Sequence, residues 1–267
     1  LFFKSKIGDL NVLTGDGCVE YGRDHTENLL FLPELVLFPL TTNDVSIILS
    51  YCNNRNIPIT PSASLTGLSG GALPIHGGIS LSMKKMNRII SIDNKNFQAI
   101  VEPGVINEEF QNKLKDYALF YPPDPASKGT CTLGGNFALN AGGPKAVKYG
   151  VTSNYVLNLE IVLADGTICW TGANTLKNST GYNLTQLMIG SEGTLAVITK
   201  ACLRLIPLPK VKILILVPFK DNLEACDAVA AIMHRNIMPS ALEFMEKDAI
   251  LFVQNQNYSD IPFPINE

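Results

Sequence analysis

Hydrophobic and polar positions in this chain fall into short strand-like runs separated by helical stripes. Leu35-Val36-Leu37-Phe38-Pro39 is an apolar run of strand length. Behind it, Thr42 or Asn43 is placed to cap a helix. Val45, Ile48, Leu49 and Cys52 then recur at i, i+3, i+4 and i+7, which is one face of that helix. Asn53, Asn54 and Asn56 end the stripe, and Ile57-Pro58-Ile59 reads as the next strand. It delivers the chain into Pro61-Ser62-Ala63-Ser64-Leu65-Thr66-Gly67-Leu68-Ser69-Gly70-Gly71, a stretch of small, glycine- and hydroxyl-rich residues.

The pattern continues in the same idiom. Gly78 to Met83 and Phe97 to Glu102 alternate as strands do. Asn107 is expected to cap a helix with Phe110, Leu114 and Tyr117 on its buried face and Glu108 and Glu109 in its first turn. Tyr121-Pro122-Pro123-Asp124-Pro125 fits neither helix nor central strand, because its prolines lack donors and fix φ. This rigid connector leads to a second glycine-rich stretch, from Thr132-Leu133-Gly134-Gly135-Asn136 to Ala141-Gly142-Gly143, with a short helix expected from Gly134 to Asn140. Tyr155 to Leu163 is a long strand, Asp165-Gly166 a tight turn and Ile168-Cys169-Trp170 the return. A helix near Leu184 to Met188 precedes Gly190-Ser191-Glu192-Gly193, and Leu195 to Ile206 is the next strand, closed by Pro207 and Pro209.

The pattern then restarts. Lys212 to Val217 reads as a strand, Asn222 to Met233 as a helix with Leu223, Cys226 and Ala230 on one face, and Ala241 to Phe244 as another strand. A β-α-β beginning that runs into a proline-containing tail suggests two domains, 1–208 and 209–267, the second incomplete.

Composition narrows the partners. The 267 residues are 46% hydrophobic and 17% charged, as in a globular protein, and the net charge of −3 offers nothing to nucleic acid. The six cysteines are scattered without C-x-x-C spacing, and the three histidines are unpaired. Both point to reduced thiols in a cytoplasmic protein without a metal site. No run is long enough to cross a membrane, and the first residues lack the order of a signal peptide.

The chemistry concentrates in the two glycine-rich stretches. Gly67-Leu68-Ser69-Gly70-Gly71 satisfies G-x-S-x-G, but a nucleophile elbow needs a helix directly after its serine, and Pro74, Gly77 and Gly78 forbid one. Neither G-x-G-x-x-G nor a P-loop pattern occurs at this site. An anion cradle of backbone N–H groups remains, in which small residues let the chain approach a phosphate and Ser62, Ser64, Thr66 and Ser69 add hydroxyls. A flexible surface loop is the plain alternative. Gly134-Gly135-Asn136, at the start of a short helix, is a second phosphate candidate, and Asn136 and Asn140 share a face. For those glycines the alternative is close packing of helix on sheet.

Taken in order, these motifs resemble the FAD-linked oxidases of the vanillyl-alcohol oxidase type, in the branch of the glycolate oxidase flavin subunit, D-lactate dehydrogenase and D-2-hydroxyglutarate dehydrogenase. The matches are Tyr21-Gly22-Arg23-Asp24, Pro33 to Pro39, Thr66 to Pro74, Tyr121 to Pro125, Gly134-Gly135-Asn136, Asn140 to Gly143, Lys148-Tyr149-Gly150, Val162 to Gly166 and Gly190 to Leu195. The resemblance implies an α+β fold: a PCMH-type (p-cresol methylhydroxylase) FAD-binding domain of two α/β subdomains with FAD between them, followed by the truncated start of an α+β substrate (cap) domain.

Carried over onto this chain, Ser62, Ala63, Ser64, Leu65, Thr66, Gly67 and Ser69 would wrap the pyrophosphate, and Pro123 and Asp124 would lie on the flavin side. Thr130, Gly134, Gly135, Asn136, Ala138, Asn140, Gly142, Gly143, Tyr149 and Gly150 would line the cleft. Glu192, Gly193, Val197 and Ile198 would meet the ribose and adenine. Such relatives usually read Arg-Gly-Ala-Gly where this chain has Ser62-Ala63-Ser64-Leu65, so an arginine and two glycines are missing and Leu65 calls for an ordinary φ. No histidine lies between 60 and 75 to tether the flavin, which implies non-covalent FAD. Cys131 and His76 read as packing and surface residues.

The implied reaction is oxidation of a D-2-hydroxy acid of the glycolate, D-lactate or D-2-hydroxyglutarate type, with hydride transfer to flavin N5 and an electron acceptor left open. A non-catalytic flavin-binding subunit of a larger oxidase complex is the alternative, and a homodimer or partner subunit is compatible with either. The base and substrate clamp would come from the C-terminal domain, so no catalytic residue is assigned. Glu243 is the candidate nearest the substrate side.

Overall fold

The computed structural model describes residues 1–26 and 28–255. In chain order the elements are α1 (Phe2–Ile7), β1 (Val12–Thr14), β2 (Leu35–Leu37), α2 (Thr42–Asn53), β3 (Ile59–Ser62), β4 (Ile79–Ser82), β5 (Ile89–Asp93), β6 (Gln98–Val101), α3 (Asn107–Lys115), β7 (Leu119–Phe120), α4 (Leu133–Leu139), α5 (Ala146–Tyr149), β8 (Val156–Val162), β9 (Ile168–Trp170), α6 (Leu184–Met188), β10 (Val197–Arg204), β11 (Ile206–Pro207), α7 (Asn222–His234) and α8 (Lys247–Asn255).

Two sheets carry the fold. The first has the order β1-β2-β4-β3, with β2, β4 and β3 parallel and β1 antiparallel at the edge. Helix α2 lays Val45, Ile48, Leu49 and Cys52 on a core that includes Leu37, Ile79 and Leu81. The second sheet is antiparallel, β5-β6-β10-β8-β9, and buries Val101, Leu159, Ile161, Ala201 and Leu203 with Phe110, Leu114 and Phe137 from the helices above it. An α+β chain of two subdomains is therefore what the residues build.

The halves are tied through α2. The Thr42 hydroxyl donates to Glu160 Oε1 at 2.6 Å, and the Ser46 hydroxyl donates to the Gly166 carbonyl at 2.6 Å. Gly166, at φ +92°, lies so close to Ser46 that a Cβ there would meet its carbonyl oxygen at 2.8 Å. Burial by itself would raise the Glu160 carboxyl, but hydrogen bonds from Thr42, Lys200 and Thr199 outweigh it and hold the group below its ordinary value.

Several sequence expectations change on contact with the structure. The cap of α2 is Thr41, not Thr42 or Asn43: its hydroxyl accepts from the Asp44 N–H while the Asp44 carboxylate accepts from the Thr41 N–H, a closed capping box. The third strand starts at Ile59, where pairing with Ile79 begins, and runs into the glycine-rich stretch as far as Ser62. Asn107 caps nothing. It is the first helical residue, wholly buried, with its amide donating to the Pro123 carbonyl and accepting from Asn136 Nδ2. Tyr117 is partly exposed rather than on the buried face of α3. Strands β1, β5 and β7 and helices α1, α5 and α8 went unread in the sequence. Neither Lys212 to Val217 nor Ala241 to Phe244 forms a strand, and α7 buries no side chain. Ile213 and Leu214 stand 80% and 92% exposed, because no strand among the described residues is there to pair with them. No helix of the described residues is long and apolar enough to cross a membrane.

Candidate functional site

The two glycine-rich stretches meet at one cleft, which encloses about 1080 Å³ of non-protein space including its open mouth. The first forms one wall with Ser62, Ala63, Ser64, Leu65, Thr66, Gly67 and Ser69; the second contributes Gly134, Gly135, Asn136 and Ala138. Glu192, Gly193, Val197 and Ile198 close a third side. The hydroxyl of Ser64 accepts from the Thr132 N–H at 3.2 Å, so one loop is bonded to the residue that caps the helix of the other. The turn at Gly190–Gly193 is fixed to the end of α4 by the Glu192 N–H, which donates to the Ala138 carbonyl at 3.0 Å.

The two stretches use their backbones differently. Among the described residues, no backbone N–H from Ala63 to Ala72 has a protein acceptor; Leu73, one residue on, donates to the Gly70 carbonyl. In α4 the first-turn donors are already used: Leu133 N–H donates to Val105, Gly134 N–H to Pro103 and Gly135 N–H to the Thr132 hydroxyl. Two glycines of the second stretch, Gly134 and Gly143, are required by packing. A Cβ on Gly134 would lie 2.6 Å from Pro103 Cβ, and one on Gly143 would collide with the Asp124 carbonyl. The first loop thus contributes a run of open donors beside the cleft. A row of unpaired N–H groups over small side chains is the arrangement that holds a phosphate.

Leu65 shows how firmly that loop is shaped. It sits at φ +58°, the left-handed region that glycine enters freely, at a cost of roughly 1–2 kcal/mol for a side-chain-bearing residue. The expectation of an ordinary φ at Leu65 is therefore wrong. The loop keeps the conformation a glycine would favour, and the side chain is compensated by packing on Cys18, Tyr21, Val36 and Phe38. Glu192, at φ +54°, is a second such residue on the cleft wall.

The remaining expected site residues stand behind the lining. The Pro123 carbonyl accepts from Asn107 and Gln111, and Asp124 is buried in ion pairs with Lys145 and, at 3.4 Å, Lys128. Thr130 is exposed and bonded to the Ser127 carbonyl. Asn140 is the left-handed C-cap of α4, Gly142 abuts Val151, Tyr149 packs edge-on to Phe120, and Gly150 closes α5. Asp24, Met83, Pro103 and Ser127 line the cleft without having been singled out as site residues. Asp24 falls in a quoted motif and could have been found there. Met83 and Pro103 carry no local signal and arrive only through folding. Cys131 also lines the cleft; burial raises its thiol above the ordinary value, which keeps it protonated and unreactive at neutral pH. His76 is exposed, and so is Glu243, which lies on no strand. The segment after Ser69 is turn and bend rather than helix, so a nucleophile elbow is absent.

Residues 33–172 match the FAD binding domain family, and residues 208–265 match the C-terminal domain of FAD linked oxidases. The chain belongs to the FAD-linked oxidase family. It is 40% identical over 248 residues to the glycolate oxidase subunit GlcD of Bacillus subtilis, covering 93% of this chain and 52% of that protein. It is 42% identical over 252 residues to a D-lactate dehydrogenase of Anaerostipes hadrus, covering 92% of this chain and 52% of that protein. Among solved structures, p-cresol methylhydroxylase with substrate bound superposes with a TM-score of 0.74 at 27% identity, over 86% of this chain and 47% of that one. The chain thus spans about half the length of the curated relatives it matches. FAD is the cofactor of this family, and the loop whose N–H groups have no acceptor among the described residues fits the anionic part of such a group.

Proposed function

We propose that this chain is the FAD-holding half of an enzyme that oxidises a D-2-hydroxy acid of the glycolate, D-lactate or D-2-hydroxyglutarate type. The observation that carries the reading is the row of N–H groups at 63–72 without an acceptor among the described residues, beside the cleft of a chain whose relatives are named for glycolate and D-lactate. In this reading Ser62 to Gly67 and Ser69 hold the pyrophosphate, Gly134 to Ala138 and Glu192 to Ile198 shape the rest of the cleft, and Pro123, Asp124, Thr130, Asn140, Gly142, Gly143, Tyr149 and Gly150 support it. The flavin, when bound, supplies the hydride acceptor at N5. The chain's own residues bind and orient it, and the lack of a histidine in the loop argues for non-covalent attachment. The division into 1–208 and 209–267 follows the end of the second sheet's core and the beginning of the matched C-terminal family.

The word subunit in the name of the Bacillus relative favours a second reading, a flavin-binding component that works within a larger complex. One experiment decides. The full-length protein is loaded with FAD under anaerobic conditions and offered glycolate, D-lactate and D-2-hydroxyglutarate. Bleaching of the flavin absorbance by one of them is expected; a flavin that stays oxidised with the whole panel leaves the subunit reading. A colourless protein that takes up no FAD would contradict both.

A further inference from the structure

At one end of the cleft the fold gathers lysines. Pro125 and Ser127 line that end, and the residues beside them in the chain, Asp124 and Lys128, form an ion pair at 3.4 Å. The second carboxylate oxygen of Asp124 accepts from Lys145 Nζ. The Lys145 ammonium also lies 5.5 Å from the centre of the Phe120 ring, and that of Lys212 lies 5.9 Å from the same centre. Tyr149 meets Phe120 edge-on and carries the Lys148 ammonium at 5.4 Å. These contacts join four ammonium groups into one patch. Asp124 is the only carboxylate in ion-pair contact with any of them among the described residues. Positive charge is thus concentrated here on a chain whose net charge is −3.

We propose that this patch docks the acidic face of a protein electron carrier, which takes up the electrons that the oxidation releases. Asp124 already engages Lys128 and Lys145, whereas Lys148 and Lys212 are exposed, sit over different rings and have no ion pair among the described residues. A small anion calls for charges that converge on one pocket. These spread over a surface, with the aliphatic Val147 exposed beside them, as in a contact between proteins. Opposite charge on the partner steers its approach and speeds encounter, which suits a carrier that must bind briefly and leave. Because Pro125 and Ser127 belong to the cleft wall, a carrier seated here stands next to the cofactor. Oxidising a hydroxyl carbon to a carbonyl releases two electrons and two protons; a one-electron carrier is met twice, and the protons pass to water. The inference rests on FAD binding and is independent of which acid is oxidised.

The test uses the full-length protein loaded with FAD and photoreduced under anaerobic conditions without substrate, so that it does not depend on the hydroxy acid. Reoxidation is followed in a stopped-flow instrument with cytochrome b5 as an acidic carrier, cytochrome c as a basic one and benzoquinone as a small uncharged acceptor. The rate with cytochrome b5 is expected to fall about tenfold from low to high salt, and the rate with benzoquinone to stay level. The double variant Lys148→Glu, Lys212→Glu is expected to slow cytochrome b5 about tenfold at low salt, to speed cytochrome c and to leave benzoquinone unchanged. Lys148→Arg with Lys212→Arg should keep the wild-type rates. Binding gives a second readout: isotope-labelled cytochrome b5 should show NMR shifts on its acidic face with the flavin-free protein, and lose them with the glutamate variant. A cytochrome b5 rate indifferent to salt, or unchanged in the glutamate variant, overturns the proposal. So does an equal loss with benzoquinone, which would tie the lysines to the cofactor itself. Binding to phosphatidylserine vesicles that the glutamate variant loses, with cytochrome b5 unaffected, would make the patch a membrane contact instead.

Discussion

The two glycine-rich stretches look alike in sequence and do opposite work. Both are small, flexible and set beside strands. In residues 63–72 the backbone donors have no acceptor among the described residues, and the chain is bent into an unfavourable φ at Leu65. In residues 132–143 the first-turn donors are consumed, and Gly134 and Gly143 are glycine because Pro103 and the Asp124 carbonyl stand where a side chain would go. The first stretch offers its backbone to a ligand. The second spends its backbone on the fold, and its part in the site is to bring one cleft wall close to the other. Glycine content alone therefore does not separate a cradle from a packing joint; where the N–H groups point does.

That contrast can be broken by substitution, beginning with the packing joint. Gly143→Ala drives a methyl into the Asp124 carbonyl, and a destabilisation of about 3 kcal/mol is expected in a denaturant titration, with FAD binding lost only as the fold is lost. The tie between the halves comes next. Glu160→Ala leaves Lys200 and the Thr42 hydroxyl without their partner and should cost about 2 kcal/mol. The pH dependence has a definite sign. The Glu160 carboxyl is held below its ordinary value of 4.5, so its contribution is present above that value and is lost as pH falls through the lower folded one. Glu160→Gln should flatten the stability profile in that acid window.

Smaller effects sharpen the comparison from the cradle side. Ser64→Ala removes the acceptor of the Thr132 N–H and should cost about 1 kcal/mol of stability. FAD affinity should fall with it, because the two walls are no longer bonded. At Leu65 the informative quantity is a difference. Leu65→Ala loses the packing on Tyr21 and Phe38 but keeps the strained φ, whereas Leu65→Gly loses the same packing and relieves it. The glycine variant should be the more stable by about 1 kcal/mol, the reverse of the usual order. A glycine variant less stable than the alanine one would mean that the left-handed turn is not formed in solution.

Much of this was legible along the chain, and the misses have a common cause. The helix Leu184–Met188 came out as read, and so did the stripe Val45, Ile48, Leu49, Cys52, where local periodicity and burial agree. Lys212 to Val217 has an equally good strand pattern and no strand, since a strand needs a neighbour to satisfy its backbone and none of the described residues supplies one. Asn107 had the right residue type for a cap, but its amide is engaged by Pro123 and Asn136, residues well downstream. Asp24 was visible as part of a motif, while the isolation of its Oδ2 depends on what the fold puts around it.

By itself, then, the sequence determined the elements around the two glycine-rich stretches, those stretches themselves, and through its ordered motifs the FAD-linked family. These depend on periodicity, on residue size and on composition, all of which are local. Tertiary structure alone decided which stretch has free donors, that Leu65 holds a glycine-like turn by packing on Tyr21 and Phe38, and that Asp24 faces the cleft. Each of those is a statement about partners far apart in the chain, and a hydrogen bond or a contact exists only when both of its halves have been brought together.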